Sequence, residues 1–196
     1  MRYLSVLLVS VGVCIAGSAD ADIVVNFTQS GGDVISTASG TVDVAWLIFN
    51  PLGVNGSGSA RVDPSGFSFL VGPSVATPHG VFFASGAALT GPASFGLGGL
   101  TNADAGSGDR FGLIEFDPSL ILALPTDYVS GASIESESIY FGSSLLSLGI
   151  EPGTYSWSAG SNTITLNAVV VPEPSSSALI VGCLAAAGIR RRCRLE

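Results

Sequence analysis

Thr163-Ile-Thr-Leu-Asn-Ala-Val-Val-Val171 decides the fold class. Ile164, Leu166, Ala168 and Val170 recur at every second position, with Thr163, Thr165 and Asn167 between them. Successive side chains of a strand point to opposite faces, so this spacing gives one apolar face and one polar face. The same period recurs outward from there. Asp22-Ile-Val-Val-Asn-Phe-Thr28 places Ile23, Val25 and Phe27 together, and 41–49 places Val42, Val44, Trp46 and Ile48 together. Further short strands are expected over 67–71, 81–84, 110–116, 134–141 and 154–158 from their β-branched and aromatic content. Segments rich in Gly, Ser, Asn and Pro punctuate them at 30–32, 55–58, 77–80 and 96–108. No 12-residue stretch between Asp22 and Pro174 carries a capped helical stripe. The expected fold is therefore all-β: a β-sandwich, jelly-roll or Ig-like, or a partly open barrel. Trp46 and Trp157 read as core residues.

Composition narrows the class. Of 196 residues, 47% are hydrophobic and 11% charged, less than half of the usual charged share of about 25%. The 26 glycines have no period of three, which excludes a collagen-like chain. There is no Lys, and four of the seven Arg lie in the last seven positions. Residues 22–174 carry 13 carboxylates against Arg61 and Arg110, a net charge of −11. That balance excludes a nucleic-acid partner and repels polyanions. The three cysteines, Cys14, Cys183 and Cys193, lie outside 22–174, so that region has no disulfide, Cys nucleophile or Cys metal ligand.

The two ends read as addresses. Arg2, an uncharged apolar run over 3–15, and small residues through Ala19-Asp20-Ala21 form a signal peptide with cleavage before Asp22. The C-terminus reads Val171-Pro172-Glu173-Pro174, three serines, an apolar run to Ile189, and then Arg190, Arg191, Arg192 and Arg194. Sixteen helical residues reach roughly 24 Å, short of the ~30 Å hydrocarbon core, and snorkelling arginines make up part of the difference. Those arginines mark the cytoplasmic side.

Pro172, Glu173 and Pro174, the short apolar helix and the basic stop at Arg190, Arg191 and Arg192 resemble the PEP-CTERM sorting signal of exported Gram-negative bacterial proteins. The apolar stretch is short for that family, and Cys193, Leu195 and Glu196 depart from its basic tail. The resemblance implies three regions. These are a signal peptide (1–21, an N-terminal helix), an exported β-rich domain (22–171), and a sorting signal (172–196). The last divides into motif 172–174, apolar transmembrane helix 175–189 and basic tail 190–194. It also implies signal peptidase and an exosortase as processing partners and transient anchoring in the inner membrane. Final placement would be at the cell surface or in the extracellular matrix, among exopolysaccharide and biofilm. A Pro-Gly-Thr-Tyr-x-Trp stretch and a Gly-Gly-Asp turn, here Pro152 to Trp157 and Gly31 to Asp33, are similar to segments of the same group. Leu148-Gly-Ile-Glu-Pro-Gly-Thr-Tyr155-Ser-Trp157 also looks like the corner that a Tyr hydroxyl ties down in Ig-like domains.

Catalytic signals are thin. His79 is the single histidine and reads as a surface turn in Pro78-His79-Gly80. No Gly-x-Ser-x-Gly elbow accompanies it, and a zinc site needs several His or Cys ligands. Glu115 with Asp117, and Glu135 with Glu137, form i, i+2 pairs that share a strand face. Such pairs could serve a glycosidase at the separations that chemistry requires, but they read better as solvated strand faces. Asn102, Asp104 and Asp109 place oxygen ligands in a Gly-rich stretch, a weak calcium candidate lacking the twelfth-position Glu of an EF-hand. The expectation is a non-enzymatic exported protein with no cofactor. The alternative is a secreted carbohydrate-active enzyme or carbohydrate-binding module using the acidic strand faces.

Overall fold

A computed structural model describes residues 21–45, 47–49, 56–84, 90–116, 119–159 and 161–171. Among them no helix occurs and the fold is all-β. The chain begins with β1 (Ala21–Ser30), β2 (Asp33–Thr41), β3 (Leu47–Phe49), β4 (Gly56–Gly58) and β5 (Arg61–Asp63). It continues through β6 (Ser68–Val71), β7 (Thr77–Ala84), β8 (Thr101–Asn102), β9 (Ala105–Gly108) and β10 (Phe111–Phe116). It ends with β11 (Ser119–Leu124), β12 (Ser133–Tyr140), β13 (Gly153–Ala159) and β14 (Asn162–Val170). One sheet has six strands in the order β13-β14-β1-β2-β12-β9. The other runs β3-β7-β11-β10-β6-β5-β8, with β4 added on β7, and curves into a half-barrel.

The period-two reading holds where it was strongest. Ile23, Val25 and Phe27 of β1 and Ile164, Leu166 and Ala168 of β14 are buried, and the two strands pair in parallel from Ala21–Asn162 to Gln29–Val170. Val170, expected on that face, is instead 48% exposed, because the strand runs past the edge of the core.

Both sheets press their apolar faces into one core. Its centre is a set of aromatic rings: Phe27, Phe69, Phe95, Phe111, Tyr140 and Trp157, each at most 1% exposed. Phe95 meets Phe27, Phe69, Tyr155 and Trp157 at centroid separations of 6.1–6.4 Å. It belongs to no strand. The segment carrying it is held by Phe95 N–H donating to the Pro64 carbonyl and by an antiparallel bridge between Gly96 and Ile150. That bridge requires backbone contact: a Cβ on Gly96 would collide with the Gly149 carbonyl, and Gly149 has φ +68°.

Several expected strands are redrawn. The single strand expected over 41–49 is broken. After Thr41 the backbone leaves the first sheet, and Val42 N–H and Val44 N–H donate to Tyr128 Oη and Ser130 Oγ rather than to a ladder. Trp46 lies outside the described residues. The turn expected at 77–80 is strand, part of β7. Pairing with β4 and β11 satisfies its backbone despite Pro78. Phe67, expected to open a strand, has φ +39° and closes a turn. The Gly-rich stretch 96–108 contains β8 and β9. Strand β11, Ser-Leu-Ile-Leu-Ala-Leu, was not anticipated. It is apolar on both faces because it lies between β7 and β10 in the curved sheet.

Hydroxyls replace carbon at several core positions. Strand β12 buries Ile134, Ser136, Ser138 and Tyr140 while Glu135 and Glu137 face water. Ser138 Oγ accepts from Gly72 N–H at 2.9 Å and lies 2.9 Å from the Gly72 carbonyl, joining the two sheets. Tyr155 Oη donates to the Glu151 carbonyl at 2.9 Å, the tie expected of the corner before the last strand.

Candidate functional site

Glu135 and Glu137 lie on a shallow groove of about 430 Å³ across the outer face of the six-stranded sheet. Antiparallel register fixes its floor. Glu135 stands opposite Ser39, and Glu137 stands between Thr37 of β2 and Ser107 of β9. The pleat alternates these residues outward while Ile134, Ser136 and Ser138 turn inward. The same face continues across the sheet as an array of hydroxyls and amides. Thr154 Oγ1 donates to Asn167 Oδ1 at 3.0 Å, and Asn167 Nδ2 donates to Asn26 Oδ1 at 3.1 Å.

The arrangement lacks the geometry of a glycosidase pair. The two carboxylates rise side by side from one strand, about 7 Å apart along it. A glycosidase instead sets its pair on opposite sides of the scissile bond. The groove is lined by Thr, Ala, Ser, Gly and Glu and contains no aromatic ring for a sugar to stack on. Glu115 lies on β10, away from this face. Its side chain and all of Asp117 are outside the described residues.

The calcium candidates do not converge. Asp104 and Asp109 flank the two ends of β9, about 16 Å apart at ~3.3 Å per residue, too far for one cation with ligands at ~2.3–2.6 Å. Each is already engaged. Asp104 Oδ2 accepts from Phe141 N–H at 2.8 Å, and Asp109 Oδ2 accepts from Glu135 N–H at 3.1 Å. Asn102 Oδ1 accepts from Ser59 Oγ at 3.4 Å on the other sheet. The loop reading gives way to three separate strand-end ties. No group of three or more acidic, His or Cys side chains with metal-binding geometry occurs among the described residues.

His79 is also corrected. It is not a surface turn residue but sits in β7 at 3% exposure. Nδ1 lies 3.4 Å from the Thr77 carbonyl, against the ring's neighbour Gly58. Burial holds its pKa below the usual value, opposed by the Thr77 carbonyl and reinforced by the charges of Arg110 and Arg61. Arg110 is itself 3% exposed. Its Nη2 donates to the Pro73 carbonyl at 2.7 Å, the Val75 carbonyl at 3.1 Å and Thr77 Oγ1 at 2.8 Å. Arg61, His79 and Arg110 are scattered in sequence, and only the pairing of β5, β6, β10, β11 and β7 brings them to one face.

Of the processing residues, Ala21 and Asp22 open β1, with Asp22 exposed and paired with Thr163. Ala19, the motif Pro172, Glu173 and Pro174, and Arg190, Arg191, Arg192 and Arg194 lie outside the described residues, as do the two expected helices. Compared with known proteins, the chain matches no family model, no curated protein and no solved structure.

Proposed function

We propose that this chain is an exported, non-enzymatic β-protein of the cell surface or extracellular matrix, sorted and cleaved at Pro172-Glu173-Pro174 by an exosortase. The observation that carries the reading is where the last strand ends, at Val170. The last strand pairing ends with Val171 N–H donating to the Gln29 carbonyl at 3.0 Å, and the next residue is Pro172. A proline there cannot extend the ladder, so the motif starts where the sheet stops. Because β1 and β14 are parallel, their two outer ends leave from opposite poles of the six-stranded sheet, roughly 30 Å apart. An Ig-like or jelly-roll sandwich is the finer fold we favour, supported by the Tyr155 tie.

The domain's role in this reading is structural and exopolysaccharide-associated, in the setting of a biofilm. A second reading, a carbohydrate-binding module, is favoured by one observation, the hydroxyl and amide array beside Glu135 and Glu137. Those groups match the donors and acceptors of a neutral glycan.

The sorting reading is tested by replacing Pro172, Glu173 and Pro174 with alanine in a host that carries an exosortase. The expected result is unprocessed protein held in the inner membrane. Replacing Arg190, Arg191 and Arg192 with serine should instead impair retention before processing. Unchanged size and location in both variants would overturn the proposal.

A further inference from the structure

Every basic group of residues 22–174 gathers on one face of the curved sheet. Register establishes this. Arg61 pairs with Leu70, Leu70 with Gly112, Gly112 with Ala123, and Ala123 with Val81. Paired residues share a face, so His79 points the same way as Val81, and Arg110, just before β10, joins that face by donating to Thr77, two positions from His79. This is the face away from the aromatic core, to which Val62, Phe69, Phe111 and Phe82 contribute from the same strands.

The cluster has donors without acceptors. Arg110 Nη1 and Arg61 Nε are buried and have no hydrogen-bond partner among the described residues, and Arg110 as a residue is 97% covered. Burial disfavours the protonated forms of Arg110 and His79 most, and charge adds to it: Arg61 acts on Arg110, and both act on His79. Among the described residues, neither neighbouring carboxylate offsets them. Asp63, two residues along β5, accepts from Ser65 Oγ and Gly66 N–H. Asp109, beside Arg110, is turned to Glu135. In a region with net charge −11, uncompensated buried cations are costly.

We propose that Arg61, Arg110 and His79 form a binding site for a small oxyanion, a carboxylate, phosphate or sulfate group. Arg61 Nε and Arg110 Nη1 each offer one charge-assisted N–H donor to such a group. Thr77 and the Pro73 and Val75 carbonyls fix the Arg110 plane from behind, so little side-chain entropy is lost on binding. His79 Nδ1 faces the Thr77 carbonyl, which leaves Nε2 to donate when the ring is protonated. Arg61 is only half-buried and marks the entrance. The acidic surface disfavours a polyanionic chain and restricts the site to small ions.

The chain's single histidine provides the reporter. Full-length protein labelled at histidine is titrated by NMR with sodium phosphate, sodium sulfate or sodium glucuronate, each against chloride at matched ionic strength. The expected result is a saturable shift of the His79 ring signal and a raised His79 pKa with at least one oxyanion. Saturation by glucuronate would assign a sugar acid, and saturation only by phosphate or sulfate a free tetrahedral ion. Arg61→Gln, at a side chain with no hydrogen bond among the described residues, should weaken binding roughly tenfold or more, with Arg61→Lys keeping part of the affinity. Shifts that match chloride for all three anions, or affinity unchanged in Arg61→Gln, would overturn the proposal.

Discussion

Phe95→Ala removes the ring at the centre of the core from a segment that belongs to no strand. Phe95 is 1% exposed and touches four aromatic neighbours. Truncating a buried Phe costs about 3–5 kcal/mol, the spread reflecting how far the site can collapse. Collapse is restricted here. The backbone at 95–98 is fixed by hydrogen bonds from Phe95, Leu97 and Gly98 to Pro64 and Gly149, and the partner rings stand on two opposed sheets. The expected loss is therefore in the upper part of the range, about 4–5 kcal/mol, a fall in Tm of roughly 8–20 °C for a domain of this size. Leu97→Ala is the internal control: two residues away, 86% exposed, with an expected change within about 0.5 kcal/mol. Urea and thermal unfolding followed by far-UV circular dichroism measure both. Equal small losses in the two variants would refute the assignment of Phe95 to a shared two-sheet core.

Two further outcomes are expected. Ser138→Ala leaves the buried Gly72 N–H without its acceptor and should lower unfolding free energy by about 1–3 kcal/mol, measured by urea unfolding. Because burial depresses the His79 pKa, the folded state binds fewer protons there than the unfolded state does. Stability should fall as pH drops through about 6.5, and His79→Gln should flatten that slope between pH 7 and 5.5 in a Tm series.

What the sequence made legible follows from which atoms do the packing. Strands β1 and β14 were readable because carbon side chains fill most inward positions, Ile23, Val25, Phe27, Ile164, Leu166 and Ala168. Strand β2 was not, since its inward row is Val34, Ser36 and Ala38, and β12 alternated weakly because two of its inward residues are serines. Period-two reading sees apolar atoms, and a buried hydroxyl satisfied by a backbone group of another strand looks like a surface residue. Strand β7 was missed at Thr77-Pro78-His79-Gly80 for a related reason. Turn-forming residue types there are held extended by β4, a strand of Gly-Ser-Gly with no signal of its own. The acidic faces at Glu135 and Glu137 were anticipated. The gathering of Arg61, His79 and Arg110 was not, because it arises from pairing across strands far apart in the chain.

In the proposed function, residues 22–171 are a folded unit released from two flanking address segments. Intact-mass analysis of the protein isolated from its native host tests this most directly, since one spectrum gives both ends. The account predicts a chain beginning at Asp22 and ending at or near Pro172-Glu173-Pro174. A mass corresponding to Met1 through Glu196 on the folded extracellular protein would contradict it.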